Sequence, residues 1–331
     1  AMCAIDADVF GLMELENTNP ENDPHPGDGI QNYVLKSLVD ALNDPLSPCL
    51  DRTYDFTDGP ATGTDAIQVG VIYKASTLTP VGRAVLDDPS FTNPLNYLDG
   101  QQTRPAIAET FLHKASDEVF TVVVNHLKSK GCYDYATGGD EDPGDGRGCF
   151  NETRALGAQA LVDWLATDPT GSGDPDFLIL GDLNSYDKED PIDVLVANGY
   201  TDLVRRYQGE YAYSYVFDGQ LGYLDYGMAN EAMLTQVTGT TVWHINSDEP
   251  DILDYDMTYK KPAQDALYDD NPYRSSDHDP VIVGLRLGPI PVGGVSIPLA
   301  LPAVLQPRVL LLAISLALVM GLGVVLTRRT R

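Results

Sequence analysis

An α/β fold is predicted by two kinds of hydrophobic pattern that alternate along most of the chain. Short apolar runs that fit buried strands occur at 67–73, 119–125 and 177–180, and apolar residues recur at helical spacing at 30–43 and 152–166. Strands that alternate with helices are typical of α/β domains. The chain has 331 residues and is 43% hydrophobic, which is enough for one large domain with additional segments.

The same patterns predict the remaining elements in chain order. A strand at 8–13 leads to Glu14, and residues 79–103, which are rich in Pro, Asn and Asp, are predicted to form a loop. Residues 106–111 and 119–125 fit the two strands of a hairpin. The last part of the domain is predicted to contain a helix at 191–198, a strand at 213–217 and an apolar strand that begins near Val281.

The charge of the chain restricts the kinds of partner that it binds. The formal net charge is −28, and all 49 acidic residues precede Arg308. Such a surface repels polyanions at long range, which argues against a protein that binds nucleic acid without acting on it. An enzyme that acts on phosphodiesters remains compatible with this charge, because divalent cations and a few local basic residues change the field within a cleft.

The composition changes after Leu287 and predicts two further segments. Residues 288–307 are uncharged and rich in Pro and Gly, so they are predicted to form a linker. The segment 308–331 contains 18 consecutive apolar residues at 309–326 and ends in an arginine cluster. A helix of that length spans about 27 Å, close to a bilayer core, and the arginines favour the cytoplasmic side. We therefore expect a C-terminal membrane anchor or sorting signal with the domain outside the cell; a buried core helix is the alternative.

Two polar motifs stand beside apolar strands. After the strand at 177–180, Gly181 is predicted to end the strand, and Asp182 and Asn184 follow two residues apart. Residues two apart on extended chain point to the same side, and open α/β sheets keep their sites at strand ends. The other interpretation is an ordinary Asp-Asn turn. The second motif places His278 between two acids at the start of an apolar strand.

The sequences Gly-Asp-Leu-Asn at 181–184 and Ser-Asp-His-Asp-Pro-Val at 276–281 resemble the endonuclease/exonuclease/phosphatase family, in particular its bacterial extracellular nuclease branch. The resemblance covers residues 5–287 and assigns a family domain to 1–287. It implies a four-layer α/β sandwich, in which two mixed β-sheets are flanked by helices. The family's first strand, which ends in a metal-site Asn, is missing here, and we expect further residues upstream of Ala1 in the natural protein.

The resemblance implies five catalytic residues. Asp182 and Asn184 match the pair that holds the attacking water and a phosphate oxygen. His278 matches the essential His, and Asp225 matches the acid that orients it. An imidazole oriented by an acid is a recurrent catalytic pair. His126, which follows an apolar strand, resembles the second catalytic His of the deoxyribonuclease branch. The alternative for His278 is a His that caps the start of a strand.

The resemblance also implies a metal site at Glu14 and Asp277. Hard cations such as Mg²⁺ prefer oxygen ligands, so Mg²⁺ or Mn²⁺ is the expected cofactor. Ca²⁺ is a further candidate, because the loop at 131–150 is rich in acidic residues. Without the resemblance, a Glu at the end of a strand would be interpreted as a solvated side chain.

Basic and polar residues near these motifs are predicted to bind the substrate. They are Arg104, Asn125, Lys128, Lys130 and Arg154, although Lys128 and Lys130 are equally typical of a solvated pair. Tyrosines could stack on bases, but their alternate spacing more often marks the face of a strand; they are Tyr211, Tyr213, Tyr215, Tyr223 and Tyr226.

Four cysteines in an exported domain predict disulfides, and three pairings are possible. The bridge Cys132–Cys149 is favoured, because it would close the loop that is rich in Gly and Asp. Such a loop is stabilised by roughly 3 kcal/mol in the chain-entropy model. The bridge Cys3–Cys49 would follow. The alternative is four free thiols in a cytosolic protein.

The sequence therefore predicts a secreted or surface-anchored, metal-dependent phosphodiesterase. The expected substrate is extracellular DNA, with RNA as a second possibility, and the expected state is a monomer. One alternative is a family phosphatase or phospholipase that acts on inositol phosphates or sphingomyelin. An alternative of another class is a surface binding module without activity, against which the complete set of catalytic residues argues.

Overall fold

The computed structural model describes most of the chain before the predicted linker, namely residues 1–17, 31–59, 63–98, 100, 102–253, 260–269 and 271–288. These residues belong to one unit, Ala1–Gly288. The segment 308–331 and all but the first residue of 288–307 lie outside the described residues, so the predicted linker and anchor stay predictions. Within the described ranges, no helix is long and apolar enough to cross a membrane.

The described part of the chain alternates strands and helices, as predicted. The strands are β1 (Val9–Glu16), β2 (Tyr54–Phe56), β3 (Ile67–Lys74), β4 (Leu78–Leu86), β5 (Ala106–His113), β6 (Glu118–His126), β7 (Phe177–Asp182), β8 (Thr201–Asp202), β9 (Tyr215–Phe217), β10 (Gln220–Gly222), β11 (Asp225–Ala229), β12 (Val237–Val242) and β13 (Val281–Leu285). The helices are α1 (Met2–Ile5), α2 (Tyr33–Asn43), α3 (Pro89–Thr92), α4 (Asn151–Leu165), α5 (Asp190–Ala197), α6 (Leu203–Gln208), α7 (Glu231–Leu234) and α8 (Pro262–Asp265).

The α/β class is confirmed, and these elements stack in four layers. The largest sheet has six strands in the order β4-β5-β6-β7-β11-β8. In it β6 and β7 are parallel, and the other neighbours are antiparallel. One of its faces packs against the antiparallel sheet β1-β3-β2, and its other face packs against α4 and α5. Helix α2 covers the outer face of the smaller sheet.

The alternation of side chains along the strands produces these layers. In β6, Val122 and Val124 lie in the core between the two sheets, whereas Val123 lies under the helices. In β3, Val71 faces the core between the sheets and Ile72 faces α2. Burying one such side chain contributes about 1.5–3 kcal/mol. A slip by one residue would exchange the two faces of a strand, so both faces strongly determine the register.

Helix α2 shows how local chemistry supports this packing. The side chain of Asn32 accepts a hydrogen bond from the backbone N–H of Leu35 (3.2 Å), which caps the start of the helix. Leu35, Val39 and Leu42 then recur on one face and are buried against the smaller sheet. The helix predicted at 30–43 is therefore confirmed.

Two details of the predicted fold are corrected. Residues 79–103 do not form a continuous loop, because β4 and α3 lie within this range. Strand β4 is at the edge of the sheet, with an irregularity in its register between Pro80 and Gly82, and an edge strand with a bulge tolerates Pro. In addition, only the six-stranded sheet is mixed, since the smaller sheets among the described residues are antiparallel.

Both expected disulfides are present. One bridge joins Cys132 to Cys149 and the other joins Cys3 to Cys49. The first closes the loop between β6 and α4. The second ties α1 to the segment before β2, where Cys49 is buried beside α2.

Candidate active site

The ends of three neighbouring strands bring three predicted catalytic residues side by side. His126, the last residue of β6, is paired in register with Asp182, the last residue of β7. Asp182 is also paired with Asp225, the first residue of β11. Because β6 and β7 are parallel and β11 is antiparallel to them, these three positions meet at one edge of the sheet. We call His126, Asp182 and Asp225 the strand-end row.

Gly181 permits the close approach of β6 and β7 beside this row. Its φ is +145°, and a Cβ at this position would lie 1.9 Å from the carbonyl oxygen of Asn125. Any side chain here would therefore push the strands apart. The prediction that Gly181 ends the strand is wrong by one residue, because β7 continues to Asp182.

Asp182 is buried and is held by polar neighbours on both carboxylate oxygens. Its Oδ2 lies 3.3 Å from Nε2 of His126. The backbone N–H of Asn184 donates to Oδ1 (2.7 Å), and the amide of Asn184 donates to Oδ2 (3.0 Å). Asn184 has a φ of +46°, so the acid and the amide meet through a tight turn and not along extended chain. The Asp-Asn turn and a functional pair of Asp182 and Asn184 were alternative interpretations of the sequence, and the structure is compatible with both at once.

The surroundings of Asp182 keep it ionised. Burial raises the pKa of Asp182, but the hydrogen bond and charge of His126, together with the charge of His278, outweigh burial and lower it. An ionised carboxylate has about four acceptor positions. His126 and Asn184 occupy three of them, which leaves one for a further donor such as water.

His278 is held by a carboxylate and an aromatic ring. Its Nδ1 donates to Oδ2 of Asp225 (2.8 Å), and the hydroxyl of Ser214 donates to the same oxygen (2.6 Å). The ring of Tyr215 stacks on the imidazole with 4.5 Å between the ring centroids. These contacts orient the imidazole so that Nε2 points away from Asp225. The predicted orienting role of Asp225 therefore has a matching geometry.

The acids around His278 keep its imidazole protonated. Burial lowers the pKa of His278, but Asp225, Asp182 and Asp277 outweigh burial and raise it to about 10. Burial also raises the pKa of Asp225, against the opposing effect of His278. An imidazolium carries a proton on each nitrogen, so with Nδ1–H bonded to Asp225, Nε2–H of His278 is available as a donor.

The two predicted metal ligands are held differently. Glu14 is exposed in β1, where the register shifts, and has a φ of +58°. Asp277 is half-buried in the segment before β13. Neither side chain has a hydrogen bond or ion pair with another described residue. Both lie near Tyr215, since burial and then the charges of Asp277, Asp182 and Glu14 raise the pKa of its phenol.

The chemistry of these two carboxylates fits a hard divalent cation. Mg²⁺ is commonly held by one or two carboxylates, with water and substrate oxygens at the other positions. The described residues contain no cluster of three or more His, Cys, Asp or Glu side chains arranged to hold a metal. Glu14 and Asp277 would hold such a cation through their carboxylate oxygens. In the acidic loop at 131–150, Asp140 is buried and bonded to the N–H of Thr153, so it stabilises the loop itself.

The predicted substrate-binding residues lie around the row with different exposures. Arg104 forms an ion pair with Asp65 (2.7 Å). Asn125 is 0% exposed, and its amide donates to the carbonyl of Val123 (3.2 Å). Arg154 is also 0% exposed, and its guanidinium is bonded to the hydroxyl of Ser185 and to the carbonyl oxygens of Lys128, Arg147 and Cys149. Asn125 and Arg154 would have to leave these partners to contact a substrate.

The two lysines occupy the rim of the site. The ammonium of Lys128 lies 4.8 Å from the ring centroid of Tyr133 and 4.7 Å from that of Phe150. Lys130 forms an ion pair with Glu189 and is largely buried. Their contact with a substrate stays a prediction.

Sequence reasoning missed the groups that support His278. Ser214 is fully buried and bonded to Asp225, and Tyr215 stacks on His278. Neither role has a local sequence signal, because each depends on a contact that is distant along the chain.

A groove of about 650 Å³ lies elsewhere, between α3 and α4, and contains none of the predicted site residues. It is lined by Leu86, Asp88, Ser90, Pro94, Leu156, Gln159, Ala160, Asp163 and Trp164.

Comparison with known proteins identifies the fold. No known sequence family and no curated protein sequence matches the chain. Among solved structures, a mannosyl-6-phosphatase of Bacteroides thetaiotaomicron VPI-5482 is 15% identical, with a TM-score of 0.50 over 86% of this chain and 88% of that chain. An endonuclease/exonuclease/phosphatase from Bacteroides vulgatus is 14% identical, with a TM-score of 0.49 over 86% and 87%. TDP2 of D. rerio, complexed with a single-strand DNA product, is 11% identical, with a TM-score of 0.46 over 85% and 86%.

The chain therefore has the fold of the endonuclease/exonuclease/phosphatase family. The predicted resemblance is confirmed at this level. Identities this low establish the fold alone, because one fold hosts many functions. The bacterial extracellular nuclease branch and the roles of the site residues stay predictions.

Proposed function

We propose that this chain is a metal-assisted phosphodiesterase that hydrolyses DNA. The observation that supports this most strongly is the strand-end row of His126, Asp182 and Asp225, with His278 bonded to Asp225. An ionised carboxylate that can hold water and a protonated imidazole lie close enough for the charge of one to shift the pKa of the other. Hydrolysis of a phosphodiester requires both kinds of group.

Asp182 and Asn184 would act on the attacking water. The open acceptor position of Asp182 receives a hydrogen bond from the water, while His126 and Asn184 keep the carboxylate in place. As the water oxygen bonds to phosphorus, one of its protons passes to Asp182. The bond from phosphorus to the leaving oxygen breaks, and that oxygen departs with the bonding electrons and takes up a proton from solvent. Positioning of this kind lowers the barrier because the reacting atoms are already oriented.

His278 would stabilise the charge that develops on the phosphate. Its Nε2–H donates to a non-bridging oxygen, and Asp225 and Tyr215 prevent the ring from turning away. A fixed donor is most effective where negative charge grows during the reaction. The buried Asp225 also balances the positive charge of the imidazolium.

Glu14 and Asp277 would hold a divalent cation. When bound, Mg²⁺ or Mn²⁺ supplies positive charge that stabilises the phosphate oxygens during hydrolysis. The two carboxylates are suited to this role because neither forms a hydrogen bond or ion pair with another residue in the described ranges. Their unpaired charges would otherwise repel the substrate.

A nucleic-acid substrate is favoured by the groups around the row. Lys128 supplies local positive charge on a chain whose net charge is −28, whereas the charge of Arg104 is balanced by Asp65. The ring of Tyr133 is 52% exposed beside Lys128 and could stack on a base. A phosphate monoester of a small molecule would use few of these groups.

We also propose that the enzyme acts outside the cell. Two disulfides in the described domain support an oxidising compartment. The apolar segment at 309–326, followed by arginines, supports attachment to a membrane or processing by a sorting machinery.

The direct test is digestion of plasmid DNA by the full chain, with and without EDTA. We expect nicking or degradation that EDTA abolishes and that added Mg²⁺ or Mn²⁺ restores. Parallel assays with sphingomyelin, an inositol phosphate and a sugar phosphate test the rival substrates. Hydrolysis of one of these without any action on DNA would contradict the proposed substrate.

A further inference from the structure

A second pair of His and Asp, not used in the proposed reaction, lies next to the first. Nδ1 of His244 donates to Oδ2 of Asp279 (2.9 Å), and the ring of His244 is stacked on Tyr213 with 3.9 Å between the centroids at an interplanar angle of 10°. The side chain of Asp279 is 0% exposed, whereas that of His244 is 35% exposed. A buried acid thus holds a solvent-accessible imidazole in one orientation.

Asp279 is bound too tightly to be an incidental partner. Its Oδ1 accepts the backbone N–H groups of Ile245 (3.0 Å), Asn246 (2.8 Å) and Ser247 (3.1 Å), and its Oδ2 also accepts the hydroxyl of Ser247 (2.6 Å). These bonds fix the segment that follows His244. The imidazole is therefore oriented both by its own hydrogen bond and by the backbone that carries it.

The two His–Asp pairs are connected by the chain and by hydrogen bonds. Asp279 directly follows His278 in the chain, and its N–H donates to the carbonyl of Ser214 (2.8 Å). The hydroxyl of Ser214 is bonded to Asp225, the partner of His278. In addition, the amide of Asn246 donates to the carbonyl of His278 (2.6 Å). The position of His244 is thus tied to that of the catalytic imidazole.

We propose that His244 is a substrate-binding residue that contacts a phosphate next to the one that is hydrolysed. This inference rests on the proposed function and makes it more specific, since it requires a substrate with at least two linked phosphates. Nδ1 of His244 is committed to Asp279, so Nε2 is the edge that is free to meet a ligand. A phosphate at Nε2 places the ring between that anion and the carboxylate of Asp279, an arrangement that suits an imidazole whose two N–H groups point to opposite partners.

The stacked rings give this contact a definite geometry. Tyr213 and Tyr215 flank Ser214, and they stack on His244 and His278, respectively. One short segment of chain therefore supports both imidazoles. We therefore expect an extended nucleotide chain with one phosphate at His278 to bring a neighbouring phosphate to His244.

The test compares a dinucleotide, which has one phosphodiester, with a trinucleotide, which has two. For His244→Ala in the full chain, we expect KM for the trinucleotide to rise about tenfold or more, as for the loss of a hydrogen bond to a charged group. We expect kcat for the trinucleotide and both constants for the dinucleotide to stay unchanged.

Three further variants make the test specific. In His244→Gln the amide nitrogen reaches the position of Nε2, so we expect partial rescue of KM for the trinucleotide. In His244→Asn it reaches the position of Nδ1, so we expect the same loss as in His244→Ala. His113→Ala is the matched control, because His113 also has a hydrogen-bonded Nδ1 (to Ser116, 2.7 Å) but lies at the other end of the β5–β6 hairpin. Circular dichroism and thermal unfolding check that each variant folds.

The outcomes separate this inference from the proposed function. Equal losses on the dinucleotide and the trinucleotide would overturn the inference, because His244 would then act at the reacting phosphate. An unchanged KM for the trinucleotide would overturn it as well. If the wild-type chain cleaves neither these substrates nor plasmid DNA, the proposed function fails and the inference fails with it.

Discussion

The acidic residues of the site fall into two groups that the fold treats differently. Asp182 and Asp225 are buried at the ends of central strands, and each contacts a His. Glu14 lies in an irregularity of β1 and Asp277 lies in a loop, and neither has a hydrogen bond or ion pair with another residue in the described ranges. The carboxylates of Asp182 and Asp225 are thus held in a defined orientation, whereas those of Glu14 and Asp277 are not held by hydrogen bonds or ion pairs from the described part of the chain.

This difference supports the separate roles that we propose for the two groups. A buried charge is costly unless it is paired and hydrogen-bonded, so Asp182 and Asp225 are committed to their partners and can take part in proton transfer without rearranging. Exposed carboxylates keep their water and can exchange it for a cation. The left-handed backbone at Glu14 (φ +58°) is a strained conformation of the kind that persists where function requires it.

The largest expected effect is loss of activity when the buried pair is broken. His278→Ala removes the donor that Asp225 orients, and we expect a decrease in kcat of about 10²- to 10⁴-fold. Plasmid digestion gives the rate, and thermal unfolding shows whether the fold is kept. His113→Ala serves as the control. Near-normal turnover by a folded His278→Ala protein would show that this pair is not catalytic.

Removing the Cys132–Cys149 disulfide tests whether the arrangement of the strand-end row depends on the loop at 131–150. The Cys132–Cys149 bridge closes a loop with a sequence separation of 17. In the double variant Cys132→Ser, Cys149→Ser we expect the free energy of unfolding to fall by about 3 kcal/mol. Denaturant titration measures this loss. Activity per folded molecule should persist, because the strands hold the row; its disappearance would mean that the loop helps to build the site.

A third buried acid shows what burial does without a His partner. Burial raises the pKa of Glu109 to about 7, although Thr57 and Arg83 oppose this. Because the folded pKa is above the unfolded one, Glu109 favours the folded state at low pH, and this contribution is lost as the pH rises from about 4.5 to about 7. The loss is about 3 kcal/mol at most.

Glu109→Gln should remove this part of the pH dependence. Gln at this position can keep the hydrogen bond to Thr57 (2.9 Å) but does not titrate. Denaturant unfolding of both proteins between pH 4.5 and pH 8 measures the difference, and we expect a flatter curve for the variant. Parallel curves would mean that Glu109 keeps an ordinary pKa in the fold.

The smallest expected effect concerns the open carboxylates. Glu14→Gln should raise the Mg²⁺ concentration for half-maximal activity about tenfold. Mutations in and around metal sites commonly lower the affinity of the protein for the metal by about this factor. Calorimetric titration with Mg²⁺ alone gives a second readout that does not depend on turnover. Glu16→Gln, an exposed change on the same strand, is the matched control. If both variants bind Mg²⁺ like the wild type, Glu14 is not a ligand.

The sequence by itself determined the α/β class and most strands and helices, and the resemblance of its motifs pointed to the residues that form the row. Patterns of burial are local: the apolar run of β7 and the amphipathic face of α2 are visible without knowledge of their partners. The loop rich in Gly and Asp between Cys132 and Cys149 likewise indicated which cysteines pair. The motif around Asp182 and Asn184 was visible because strand ends are where polar residues interrupt apolar runs.

Only the tertiary structure decided which residues meet. The register that aligns His126, Asp182 and Asp225 depends on strand pairs that are distant in the chain. The burial of Arg154, which the sequence placed at the substrate, results from carbonyl groups that converge on its guanidinium from separate segments. The pair of His244 and Asp279 had no signal beyond an acid after His278. Such contacts are non-local, and a pattern of neighbouring residues carries no information on them.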